Sequence, residues 1–151
     1  MVGVGGLGVP ASLVLAQSGI GTIGLVDPDS VELSNLNRQL FYRAGDCGRP
    51  KVDCAAALLS RYFPHLRLEA KRMRVEPGNV LALLRQFDFI IDATDGSETK
   101  YLLNDAAIVA RRPLSHAGVV GLNGQTMTIL DRYRLMGHRF FIGRKNSIAR
   151  F

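Results

Sequence analysis

Residues 3–27 read GVGGLGVPASLVLAQSGIGTIGLVD. Gly3, Gly5 and Gly8 give the G-x-G-x-x-G spacing of a tight turn that brings backbone close to a bound phosphate. Leu7 to Gln17 is apolar at most positions, which suits a buried helix, and Gly19 and Gly21 punctuate its end. Thr22 to Val26 is a short apolar strand that stops at Asp27, nineteen residues beyond Gly8. A glycine turn, a helix, a strand and a terminal acid in this order form half of a nucleotide-binding α/β unit.

The same alternation continues down the chain. Lys51 to Tyr62 reads as a helix with Val52, Ala55, Leu58 and Leu59 on one face, and Pro64 stops it. His65 to Met73 alternates Leu66, Leu68 and Ala70 with charged residues, as a half-buried strand does. Asn79 to Gln86 is a short helix after Pro77-Gly78, and Phe87 to Ala93 a strongly apolar strand. Thr99 to Ala110 is a helix that groups Leu102, Leu103, Ala106 and Val109. A strand begins at Pro113-Leu114, Gly118 to Gly124 is a glycine-rich turn, and Gln125 to Leu130 is a last strand. The pattern predicts an α/β fold with a doubly wound, mostly parallel sheet and helices on both faces. Only Met1-Val2 stand before the glycine turn, where such a fold places a central strand. The chain therefore reads as clipped at the front, with poor stability expected and an inactive remnant as one reading of it.

Composition narrows the classes. The chain has 151 residues, 47% hydrophobic and 21% charged, which fits a globular domain and excludes collagen and disordered classes. The net charge is +6, but residues 132–151 hold six of the 19 bases and no acid, which leaves 13 bases against 13 acids in residues 1–131. The boundaries drawn are a nucleotide-binding domain over 1–131 and an irregular basic tail over 132–151. Residues 1–26 carry no charge, yet seven glycines interrupt them, so no membrane span is expected. Cys47 and Cys54 match no metal spacing, and their number points to a reducing, cytoplasmic setting and to structural thiols. His65, His116 and His138 are scattered.

Beyond the glycine turn, the run DPDSVELSNLNRQ over residues 27–39 and GRPK over 48–51 carry the chemistry. Asp27 stands where a ribose hydroxyl is bound. Arg38 lies in a polar loop. Lys51 opens a helix, where its charge opposes the helix dipole, a placement easier to tolerate beside a bound anion. Together the two cations suit a triphosphate. Asp92 and Asp95 end the most apolar strand. Asp95 is the better magnesium ligand, whereas Asp92 is suited to capping the next turn. His116 stands near the same region, with a structural role as fitting as a functional one.

The runs GVGGLG, LVDPDSVELSNLNRQ, GRPK, DATD and GQTMTI resemble the ThiF/MoeB/HesA family, relatives of the ubiquitin-activating enzymes, over about residues 1–131. The resemblance implies a Rossmann-like fold, a homodimer, and ATP-Mg²⁺-dependent adenylation of the C-terminal glycine of a ubiquitin-like sulfur carrier ending in Gly-Gly. Thiamine or molybdenum-cofactor synthesis is the implied setting. It places Gly3, Gly5, Gly6 and Gly8 in the phosphate loop and Asp27 on the ribose. Ser34, Asn35 and Arg38 lie along the nucleotide, Lys51 on the phosphates and Asp95 on Mg²⁺. Gly96 departs from the asparagine the family carries after its metal-binding acid. The family's helical arginine, lent across the dimer, has no counterpart here. No cysteine follows Leu130, where the family's Cys-x-x-Cys zinc ligands and sulfur-handling cysteine lie. Three other readings of the residues stay open: a tRNA-modifying dehydratase of the same family, favoured by the basic tail; an NAD-binding oxidoreductase; and the remnant noted above.

Overall fold

The computed structural model describes residues 1–130, so the basic tail over 132–151 lies outside the described residues. The chain divides into two compact units, residues 1–74 and 75–151. Each is α/β, as the pattern predicts.

In the first unit α1 (Gly8–Gln17) follows the glycine turn directly. It buries Val9, Ser12 and Ala16, and the Ser12 hydroxyl donates to the Gly8 carbonyl at 2.8 Å. The helix ends in a Schellman turn, with Gly19 N–H on the Ala16 carbonyl and Ile20 N–H on that of Leu15. Gly19 adopts φ +82°, where a side chain would be strained. The strand β1 (Thr22–Val26) is buried from Ile23 onward, as an inner strand of a parallel sheet must be. Lys51–Tyr62 forms α2, and Arg67–Lys71 forms β2, which pairs parallel with β1 from Thr22↔Arg67 to Val26↔Lys71. Leu66 and Leu68 pack against the core, while Ala70 is exposed and breaks the expected alternation.

On the other side of β1, the chain start supplies one rung of ladder. Val2 bridges Val26 in parallel, Gly3 N–H donates to the Val26 carbonyl, and Val26 N–H donates to that of Met1. Burial pushes the Met1 amine down to about 5, and the amine donates to the Gly24 carbonyl at 2.8 Å. Val4, Val9, Ile23, Leu25, Val31, Val52, Ala55 and Leu59 close the core of this unit, with Leu58 partly buried against it.

The second unit holds α3 (Val80–Leu84), β3 (Ile90–Asp92), α4 (Ser97–Ala110), β4 (Leu114–Val120) and β5 (Asn123–Ile129). The strand β3 runs parallel to β4, and β4 antiparallel to β5. The glycine-rich stretch 118–124 is not one loop. Gly118 pairs with Gln125 and Val119 with Gly124, so only Gly121-Leu122 turn the chain. A two-residue hairpin turn needs positive φ, which Gly121 supplies at +62°. The buried face of α4 also differs from the apolar grouping. It consists of Lys100, Leu103, Asn104, Ala106 and Ala107, with Val109 61% exposed.

The helix α4 ends on Arg111 at φ +55°, the left-handed region that disfavours a side chain. Arg111→Gly is expected to raise the denaturation midpoint of the chain, with a gain of about 0.5–1 kcal/mol once the added freedom of unfolded glycine is set against the relieved strain. Urea titration followed by circular dichroism reads it, and an unchanged or lower midpoint contradicts it.

Candidate functional site

The first unit builds its site around the glycine turn. Gly3 has φ +86°, a conformation the turn reaches without strain only with glycine. A Cβ on Gly5 would stand 3.4 Å from the Gln39 amide nitrogen, and one on Gly6 would stand 3.4 Å from the Arg38 carbonyl. The missing side chains therefore let the 38–39 segment lie against the turn. Gly8 opens α1; there Val9 N–H donates to the Gly5 carbonyl at 3.2 Å and Pro10 has no N–H, which leaves the Gly8 N–H without an acceptor among the described residues. A small cleft of about 70 Å³ results, lined by Gly5, Gly6, Val9, Pro10 and residues 38–42.

Asp27, at the end of β1, holds this turn in place. One carboxylate oxygen accepts Val4 N–H at 2.8 Å and the other Asp29 N–H at 2.9 Å. The residue is 6% exposed. The Tyr42 hydroxyl lies against the Val4 carbonyl and 3.3 Å from the Lys51 carbonyl, so one buried ring spans the glycine turn and the start of α2. Burial, with Asp27 nearby, pushes the Tyr42 phenol well above its ordinary range and keeps it neutral.

Lys51 is itself buried. Its ammonium lies 3.0 Å from Asp29 and its N–H donates to the Asp29 carbonyl. Asp29, together with Asp53 in the first turn, supplies the negative charge that a cation at a helix start requires. The Arg38 guanidinium is exposed and donates to the Ser34 carbonyl at 3.2 Å and to Asn37 at 3.1 Å. The Ser34 hydroxyl donates to Glu32, and the Asn35 amide donates to Ser34. The buried Asn35 Oδ1 has no partner among the described residues. The structure thus gathers Gly5, Gly6 and Arg38 at one cleft, and Asp27 and Lys51 are tied to the same turn through Val4 and Tyr42. Ser34 bonds within its own loop.

In the second unit, Asp95 lies on the turn after β3. It is exposed and has no hydrogen bond or ion pair among the described residues. Asp92, fully buried, caps that turn as expected: one oxygen accepts Thr94 N–H at 2.9 Å and the Thr94 hydroxyl at 2.7 Å. Its other oxygen lies 3.0 Å from His116 Nδ1 and 3.5 Å from Lys100 Nζ, and Lys100 also donates to the Ala117 carbonyl. His116 is therefore a buried structural partner on β4. Cys54 is buried and its thiol pushed up, chiefly by burial, whereas Cys47 is exposed, unlike the structural thiol expected there. No helix of the described residues is long and apolar enough to cross a membrane.

Sequence reasoning missed Gln39, Tyr42 and Lys100. For Lys100 a signal existed: it falls three and four residues before Leu103 and Asn104, on the buried face of α4. Tyr42 gave none, because its partners are backbone atoms 38 and nine residues away.

A glycine turn opening a helix, an acid at the end of the next strand and a polar loop folded back over the turn define a Rossmann-like α/β protein. Its family is equally plain, since the ThiF family model matches residues 1–139 and the chain belongs to that family. It is 40% identical over 139 residues to the adenylyltransferase and sulfurtransferase uba4 of Aspergillus niger, covering 92% of this chain and 29% of that protein. It is 42% identical over 125 residues to the sulfur carrier protein adenylyltransferase of Thermus thermophilus, covering 83% and 46%. A probable adenylyltransferase/sulfurtransferase MoeZ of Mycobacterium tuberculosis is 41% identical over 83% of this chain and 32% of its own length. The chain thus spans less than half the length of these relatives.

Asp27→Asn puts an amide NH₂ against one of two backbone N–H donors, and Tyr42→Phe strips the hydroxyl from two backbone carbonyls. Each is expected to lower the denaturation midpoint, by about 1–3 kcal/mol for the first and about 1 kcal/mol for the second. An Asp27→Asn chain as stable as the wild type would show that the turn is held by other means.

Proposed function

We propose that this chain is the adenylating domain of a sulfur-carrier-activating enzyme: it binds ATP and transfers AMP to the C-terminal carboxylate of a small carrier protein ending in Gly-Gly. The observation that carries the reading is the glycine turn lying under Arg38 and Gln39, pinned by Asp27 beside the start of α2. Adenylyltransferase is the activity named for the relatives, and ATP use follows from it.

The cleft is far smaller than the roughly 300–1,000 Å³ of a small-molecule pocket, so it takes in only the phosphates. The Gly8 N–H at the start of α1 is free to donate to that charge. Arg38 exchanges its loop acceptors for phosphate oxygens, and Lys51 shares its ammonium between Asp29 and the nucleotide. Asp27 keeps lone pairs for a ribose hydroxyl beside its two backbone donors. The reaction joins a carboxylate oxygen to the α-phosphorus as the bond to pyrophosphate breaks. Both reactants are anionic, so positioning and charge neutralisation supply the acceleration, with no general base required.

Mg²⁺ in such sites takes one or two carboxylates besides phosphates and water. Asp95, exposed and unpaired among the described residues, fits that need, and among the described residues no cluster of three or more His, Cys, Asp or Glu is built to hold a metal alone. Bound there, the ion would neutralise charge on the leaving pyrophosphate. A homodimer and a cytoplasmic setting belong to the same reading.

ATP–pyrophosphate exchange by the full 151-residue chain with a Gly-Gly carrier tests the proposal. Lys51→Ala is expected to lower exchange on the order of 100-fold or more, and Asp95→Asn to raise the Mg²⁺ needed for half-maximal exchange about tenfold. Wild-type exchange no greater than that of Lys51→Ala would remove the proposal.

A further inference from the structure

Residues 92–96 lead from β3 into α4, and Lys100 grips this segment at both ends. Its N–H donates to the Gly96 carbonyl at 3.1 Å, and its ammonium lies 3.5 Å from the Asp92 carboxylate. The same ammonium donates to the Ala117 carbonyl of β4 at 3.1 Å and stands 3.5 Å from His116 Nδ1, which is itself 3.0 Å from Asp92 Oδ2. Asp92, Lys100 and His116 are all buried. Asp92 also accepts the Thr94 N–H and hydroxyl, so every one of these bonds either shapes the segment or fastens it to α4 and β4. The Asp95 carboxylate takes part in none of them and is exposed.

Stability alone does not account for a lysine at this place. Lys100 is the fourth residue of α4, near the end whose dipole disfavours a positive charge. Burial takes its ammonium and the Asp92 carboxylate out of water, a penalty that their attraction offsets only in part, and an apolar residue packed there would serve the helix as well or better. What the ammonium supplies is direction. It ties β3, α4 and β4 together through bonds of set geometry, which an apolar side chain cannot do. Groups that hydrogen-bond behind a metal ligand orient it in this way.

We propose that Lys100 is a positioning residue that, through Asp92 and the Gly96 carbonyl, aims the Asp95 carboxylate at a divalent cation. This rests on the reading of Asp95 as the Mg²⁺ ligand and adds to it the residue that turns a lone exposed carboxylate into a directed one. His116 supplies the second side-chain hold on Asp92, from β4. With the backbone of 92–96 fixed, binding a cation has only the Asp95 side-chain torsions left to order.

Mn²⁺, a paramagnetic stand-in for Mg²⁺, titrated into the full chain with ATP and followed by water-proton relaxation tests this without turnover. Lys100→Met is expected to raise the Mn²⁺ needed for half-saturation about tenfold and to leave calorimetric ATP affinity without metal unchanged. Lys100→Arg keeps a cation for Asp92 and recovers most of the loss. In an Asp95→Asn background Lys100→Met costs nothing further, because it acts through that carboxylate. Lys100→Met leaves the buried Asp92 charge unpaired, so Lys100→Met with Asp92→Asn, which removes both charges, is the second variant. It is expected to melt close to wild type and still to need about tenfold more Mn²⁺. A residue serving structure alone would weaken metal-free ATP binding too, and would cost as much with Asp95→Asn as without it. That pattern, wild-type Mn²⁺ affinity in either methionine variant, or Lys100→Arg as weak as Lys100→Met overturns the role of Lys100 and leaves Asp95 as the ligand. Mn²⁺ affinity unchanged by Asp95→Asn, or wild type that takes up no more Mn²⁺ than ATP alone does, overturns both.

Discussion

The carboxylate of Asp27 is the joint on which the first unit turns. Its two oxygens hold the N–H groups of Val4 and Asp29, one in the glycine turn and one in the loop that leads to the polar segment. Backbone N–H groups at this depth must find acceptors, and a turn with no side chains cannot supply its own. The strand β1 delivers the acid to that point because it is buried and short, and Val2 and β2 flank it. Fixing Val4 fixes the start of α1. Fixing Asp29 fixes the partner of Lys51. Tyr42 closes the circuit from the α2 side by spanning the Val4 and Lys51 carbonyls.

This arrangement explains why a site rich in charge can be built next to a dry core. Val4, Val9, Leu25 and Val52 are buried immediately behind the polar loop, so each buried polar group there needs a partner. Lys51 rests on Asp29, Asp27 on two N–H groups, Tyr42 on two carbonyls. Asn35 Oδ1 and Gln39 Oε1 are the exceptions, four residues apart on the same loop.

The second unit repeats the device with different residues. Asp92 takes Thr94 on one oxygen and His116 with Lys100 on the other, so a single buried carboxylate shapes the turn that carries Asp95. Asp95 itself stays exposed and unpaired among the described residues. One acid is spent on geometry so that its neighbour three residues on is left available.

Periodicity and punctuation in the sequence determined most of the elements. Thr22–Val26 and Lys51–Tyr62 stand where the apolar pattern puts them, because a short buried strand and an amphipathic helix write their burial into spacing. The motif runs determined the family, since glycine spacing and a following acid encode a local turn. Tertiary structure alone decided the rest: that Gly118 stays in a strand, that α4 buries Lys100 and Asn104 while Val109 faces out, and that Gln39 and Tyr42 belong to the site. Those outcomes depend on partners distant in the chain. Tyr42 meets Val4 across 38 residues, and His116 meets Asp92 across 24. A local pattern fixes which face a residue takes on its own element, but a hydrogen bond across such separations exists only after the elements have packed.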